Sequence, residues 1–140
     1  MTFTKLDMND NSQVEGRACV VIYNIGGKEL KSIQGYASLL GVRDQIVLYP
    51  KSADTVMKDI LENNIKSDCT DGRKERAIIF NALSPAKINV FLENLRKLKI
   101  NNVLKATVTE TSINWSLNEI VANLSAERMA ISQGNFDAHH

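Results

Sequence analysis

The chain has 140 residues, 44% hydrophobic and 24% charged, with a formal net charge of +1. That length supplies one core rather than two, and the balance of apolar and charged residues is that of a globular protein and not of a disordered one. The longest apolar runs, such as 18–23 and 77–80, fall far short of the roughly 20 residues a bilayer requires, so the sequence reads as having no membrane span.

Residues 1–16 alternate polar and acidic positions and lack the basic start and apolar stretch of a secretory signal, which reads as a disordered leader in a cytoplasmic protein. The first strand signal follows at Cys19 to Tyr23, a short β-branched run of the kind buried on both faces of a parallel sheet. Asn24, Gly26, Gly27 and Lys28 come next and lead into an apolar stripe of helical period, Leu30, Ile33, Ala37 and Leu40. A second strand is expected over Gln45 to Tyr49 and a second helix around Val56, Ile60 and Leu61.

The connection from Lys66 to Glu75 is the longest polar stretch between elements and divides the chain into halves 17–66 and 75–131 of a single domain. Beyond it, Ala77 to Phe80 reads as the third strand, ending at Asn81. Ser84 with Pro85 gives a good helix start, because the serine accepts from an orphan N–H and the proline has none to waste. The stripe Ile88, Phe91, Leu92, Leu95 and Leu98 then marks the third helix. Leu104 to Thr109 alternates, with Lys105, Thr107 and Thr109 on one side, as an edge strand with one wetter face does. Ser116 to Glu119 fits a capping box ahead of the stripe Leu117, Ile120, Val121 and Leu124, with Trp115 placed as a hydrophobic staple. Residues 132–140 read as a flexible tail.

The halves resemble each other. Val21 to Asn24 matches Ile78 to Asn81 at an offset of 57, and Leu30, Ile33, Ala37 and Leu40 match Ile88, Phe91, Leu95 and Leu98 at an offset of 58. The expected fold is therefore α/β, a small doubly wound parallel four-stranded sheet in the order 2-1-3-4, built from two pseudo-symmetric βαβα halves. With right-handed crossovers and a two-fold along the strands, helices one and four cover one face and helices two and three the other. In that arrangement Asn24, Gly26, Gly27, Lys28, Asn81 and Ser84 meet in the crevice beyond the carboxyl ends of strands one and three, a topological switch point beside two helix N-termini suited to an anion. The plainer alternative is that both asparagines satisfy local backbone groups.

Catalysis is poorly supplied: Lys105 and Glu110 offer an acid and a base, but Lys105 reads more simply as an edge-strand charge that discourages aggregation. The two histidines, His139 and His140, end the tail, so serine and cysteine have no visible base. Cys19 and Cys69 lack metal-ligand or redox spacing and read as free thiols, so neither a metal nor a cofactor is expected. Residues 72–109 hold eight basic residues against two acids, which hints at an anionic partner, yet without interleaved exposed aromatics for stacking on nucleic acid. A non-catalytic binding or regulatory module is favoured, with a small anion or a protein as partner, or a second copy through a sheet edge. The alternative is an enzyme acting on a small phosphorylated or carboxylated metabolite at the crevice.

One stretch carries a more specific pattern. Leu95-Arg96-Lys97, then Lys105-Ala106-Thr107-Val108-Thr109, then Trp115-Ser116-Leu117 and Glu127-Arg128 give a K-A-x-x-T followed by W-x-L, and this second half resembles DUF3783, an uncharacterised bacterial family. The family has no assigned activity, so the resemblance implies the fold and transfers no mechanism. Its motif, carried onto Arg96, Lys105, Thr107, Thr109 and Trp115, implies a site at one edge of the sheet.

Overall fold

A computed structural model describes residues 16–132. The leader and the tail, with both histidines, lie outside the described residues except for Gly16 and Ser132. The elements run β1 (Cys19–Tyr23), α1 (Gly27–Leu39), β2 (Gln45–Leu48), a 3-10 turn (Pro50–Ser52), α2 (Met57–Leu61), β3 (Arg76–Asn81), α3 (Pro85–Lys97), β4 (Val103–Thr107), a second 3-10 turn (Ser112–Asn114) and α4 (Leu117–Ser132). Among the described residues no helix is long and apolar enough to cross a membrane.

The sheet order is β2-β1-β3-β4, as the crossover argument requires, with helices on both faces. β1 is buried along its whole length. Its odd residues Cys19, Val21 and Tyr23 enter a core shared with Met57 and Ile60 of α2 and with Leu117, Ile120 and Val121 of α4. Its even residues Val20 and Ile22 enter a second core with Ile33 and Ala37 of α1 and with Phe91 and Leu95 of α3. Full burial of an aliphatic or aromatic side chain is worth about 1.5–3 kcal/mol, so a central strand without a polar residue anchors both layers.

The pairing differs from expectation at the centre. β1 with β2 and β3 with β4 are parallel, but β1 and β3 are antiparallel, with Cys19 opposite Asn81 and Tyr23 opposite Ala77. The cause lies in the polar connection between the halves. α2 has only five residues and ends where β1 begins, since Arg17 Nη1 donates to Leu61 O at 2.7 Å. The chain then recrosses the sheet instead of turning into β3. Cys69 N–H donates to Lys51 O at 2.9 Å, and the Tyr23 hydroxyl donates to Arg73 O at 2.6 Å, beside the far end of β1. β3 is thus delivered from the end at which β1 finishes and runs back along it.

This return strap lies directly on the turn after β2. A Cβ on Gly72 would stand 2.2 Å from Pro50 O and 2.7 Å from Pro50 C, so only glycine permits the approach. Reversal of β3 also redistributes the helices. For two crossovers of one hand it carries α3 to the face of α1, leaving α2 with α4, rather than pairing helix one with four and two with three.

Local signals act as expected. Ser84 Oγ accepts from Lys87 N–H at 3.3 Å, with Pro85 in the first turn of α3. Ser116 N–H donates to Glu119 Oε1 at 2.8 Å while Glu119 N–H donates to Ser116 Oγ at 3.1 Å, the two halves of a capping box. Reciprocal bonds from Met57 N–H to Trp115 O (2.8 Å) and from Leu117 N–H to Thr55 O (3.0 Å) tie the starts of α2 and α4 together.

Candidate site at the edge of the sheet

The antiparallel centre separates the residues expected in one crevice. Asn24, Gly26, Gly27 and Lys28 follow β1 at one end of the sheet, while Asn81 and Ser84 follow β3 at the other. Each group has local work. Asn24 adopts a left-handed backbone (φ 58), its N–H donates to Leu48 O at 2.8 Å and its Nδ2 donates to Lys74 O at 2.7 Å, so it ties the turn after β1 to β2 and the strap. Gly26 caps α1 without a side chain, Gly27 has a φ of 64, and Lys28 is exposed.

At the opposite end, Asn81 Nδ2 donates to Arg17 O at 2.9 Å. Arg17 in turn grips Asp44 through Nε (2.6 Å) and Nη2 (2.9 Å) and reaches Asn63 Oδ1 at 3.0 Å. The guanidinium holds the Asp44 carboxyl below its ordinary range. Ser84, buried, is the cap of α3.

The residues of the family motif divide as well. Lys105 and Thr107 are exposed on β4, the edge strand, and point to the α1/α3 side as Val103 does. Arg96, at the end of α3, faces the same region and holds Glu93 through Nη2 at 2.8 Å. Thr109 lies past the strand, where its N–H donates to Ser112 Oγ at 2.9 Å and its Oγ1 accepts from Ser112 N–H at 3.0 Å. Trp115 is half-buried against the α2/α4 core, which includes Ile120, so its placement is that of a staple.

Two cavities flank β4. On the α3 side a polar one of about 360 Å³ is lined by Arg96, Ile100, Asn101, Asn102, Lys105 and Arg128, among others. On the α4 side an apolar one of about 490 Å³ is lined by Leu104, Lys105, Leu124, Arg128 and Ile131, among others. Lys105 and Arg128 line both. Arg128 lies on α4 yet reaches round the strand, its Nη2 donating to Val103 O at 3.4 Å. Lys105 has no hydrogen-bond or ion-pair partner among the described residues.

The sequence reading did not count Arg128 as a site residue. The signal was present, because residue 128 stands four places beyond Leu124 on the buried stripe of α4 and therefore on the face turned to the sheet.

Elsewhere the reactive groups are buried or hydrogen-bonded. Cys19 is fully buried and burial pushes its thiol up to about 11. Burial also raises the Tyr23 hydroxyl to about 12, while the Cys69 thiol donates to Asp71 Oδ1 at 3.3 Å. Among the described residues no three or more His, Cys, Asp or Glu side chains gather where they could hold a metal ion. Open at the surface among the described residues is the β4 edge, with a polar hollow on one side and an apolar hollow on the other.

No curated protein and no solved structure matches this chain. Residues 76–131, from β3 through most of α4 and including Arg96, Lys105 and Arg128, match the family model Domain of unknown function (DUF3783).

Proposed function

We propose that the protein is a non-catalytic binding or regulatory module of the cytoplasm, and that its binding surface is the β4 edge, where it takes an anionic partner. The observation that carries this reading is that Lys105 and Arg128 line both cavities beside an edge strand, the Lys105 side chain without a partner among the described residues. A buried or paired cation has a structural role to explain it, whereas an exposed one set between two hollows is available to a ligand.

The same reading treats the two halves as copies of one βαβα unit. α1 and α3 start 58 positions apart at Gly27 and Pro85 and end 58 apart at Leu39 and Lys97. Supporting one offset of 58 for the strands as well, β1 and β3 pair about Val21 and Ile79, and Asn24 and Ala82 share a left-handed backbone at φ 58 and 56. Only the second copy carries the cationic edge, because β2 reads Gln45-Ile46-Val47-Leu48 where β4 begins Val103-Leu104-Lys105-Ala106.

The test is a titration of isotopically labelled protein with inorganic phosphate and with citrate, followed by backbone amide shifts. The expected result is a cluster of shifts over residues 103–107 and around Arg128, lost in the Lys105→Glu, Arg128→Glu double variant. Shifts at Gly26 to Lys28 or at Ser84 instead, or none at all, would refute the assignment of the surface.

A further inference from the structure

We propose that β4 accepts, as a fifth strand, an extended acidic segment of a different protein, with carboxylates on Lys105 and Arg128 and one apolar side chain in the cavity beside Leu104. This rests on the reading of the β4 edge as the binding surface and adds to it the mode of binding and the chemistry of the partner.

The backbone is set for strand addition. Val108 N–H donates to Phe80 O at 2.9 Å. Bonding groups alternate along a strand, so the amides of Leu104, Ala106 and Val108 face β3 while those of Val103, Lys105 and Thr107 face away from the sheet. Arg128 occupies the outward carbonyl of Val103. The outward groups of Lys105 and Thr107 find no partner among the described residues, which is the template that strand-adding peptides use.

The side-chain environment selects the occupant. A strand laid on β4 alternates its side chains between the two faces. One set falls over the α4 side, where Leu104, Leu124 and Ile131 line the apolar cavity. The other falls over the α3 side, where Lys105, Arg96 and Arg128 line the polar one. Around the two cavities Arg96, Lys105 and Arg128 stand against Glu93, which Arg96 already holds, and Glu127, with Lys97 and Lys99 close by in the chain, so the balance is positive and the complement is a strand bearing carboxylates.

Charge also rules against a second copy. An antiparallel self-pairing of β4 would bring two Lys105 and two Arg128 side chains together, and like charges on adjacent strands are destabilising. A lysine on an edge strand guards against just such pairing, while leaving an acidic strand admissible.

The test uses the full chain and an acetylated, amidated peptide of alternating valine and glutamate, with two controls: a valine–lysine peptide, and the valine–glutamate peptide N-methylated at alternate residues. Binding is read from amide shifts and from hydrogen exchange at Lys105 and Thr107. The expected result is slowed exchange at both amides with the valine–glutamate peptide alone. Thr107→Pro removes an outward N–H at a position where an edge strand tolerates proline. It should weaken the peptide about tenfold while leaving the phosphate-induced shifts of the same edge unchanged.

Peptide binding that N-methylation and Thr107→Pro leave unaltered would overturn strand addition. Phosphate and citrate shifts at β4 without any peptide binding would overturn it too, while sparing the edge as an anion site. Absence of both would sink the two readings together. A dimer in sedimentation that Lys105→Glu strengthens or leaves intact would show a second copy as the occupant and likewise end the proposal.

Discussion

Gly72→Ala and Gly35→Ala make the same chemical change with opposite expected signs. At Gly72 the new methyl would lie 2.2, 2.7 and 2.8 Å from O, C and Cα of Pro50, all backbone atoms that cannot rotate away. Either the strap and the turn are forced apart, which as overpacking costs about 1–3 kcal/mol, or the strap lifts. Lifting it gives up the bonds from Cys69 N–H to Lys51 O, Arg73 N–H to Asn118 Oδ1 and the Tyr23 hydroxyl to Arg73 O, at about 1 kcal/mol each. Both routes converge on a loss of about 2–3 kcal/mol.

Gly35 is exposed within α1 and a Cβ there meets nothing within 4 Å, so alanine should stabilise the helix by about 1 kcal/mol. Loss of backbone freedom in the unfolded chain favours both variants alike, so the difference between them isolates the steric contact. For a domain of this size about 4 °C accompanies each kcal/mol, and thermal and urea unfolding should place Gly72→Ala about 10 °C below the parent and Gly35→Ala above it. A Gly72→Ala protein within about 0.5 kcal/mol of the parent would refute the strap as a fixed backbone contact.

Other outcomes follow from single contacts. Hydrogen bonds from Arg73 hold the Glu75 carboxyl at about 2, below its ordinary 4.5. A depressed acid contributes stability that is complete above the unfolded value and is lost as pH falls toward the folded one. Acid unfolding of the parent should therefore steepen between those two values relative to Glu75→Gln. With a third of the Glu75 side chain exposed, the gain is below about 1 kcal/mol. A native thiol titration should label Cys69, which is partly exposed, and spare Cys19, at 0% exposure, until denaturant is added; equal rates for both would contradict the burial of β1. Ser84→Ala should cost about 1 kcal/mol in urea unfolding through loss of the bond from Lys87 N–H, and no change would show the cap to be idle.

Local chemistry was the legible part of the sequence. The strands at Cys19 and Ala77, the proline start of α3 and the capping box at Ser116 each depend on neighbouring residues, and all form as their composition dictates. The strand order was legible too, because short right-handed crossovers leave few alternatives. The direction of β3 was not. It depends on whether the polar residues 62–75 turn or recross, and a hydrophilic stretch has no periodicity to say which. Gly72, the residue that records the answer, is indistinguishable in sequence from any loop glycine. That one ambiguity dispersed the expected crevice and put Asn24 and Asn81 at opposite ends. Arg128 escaped notice for a different reason, since a long side chain reaching round an edge strand is visible only once the helix is laid on the sheet.

The two halves share the β1–β3 seam, both cores and the bonds between the starts of α2 and α4, yet the chain joins them only through the strap, whose residues 62–68 are all exposed. The protein is thus laid out as a natural split pair. Cleaved within that stretch, it would leave two β-α-β fragments, each with one side of an all-apolar strand bare, Cys19 to Tyr23 on one and Ala77 to Phe80 on the other. Such fragments are mutual templates, so co-expressed halves should reassemble by complementation. A lone half has the same exposed seam to satisfy, and its simplest recourse is another copy of itself.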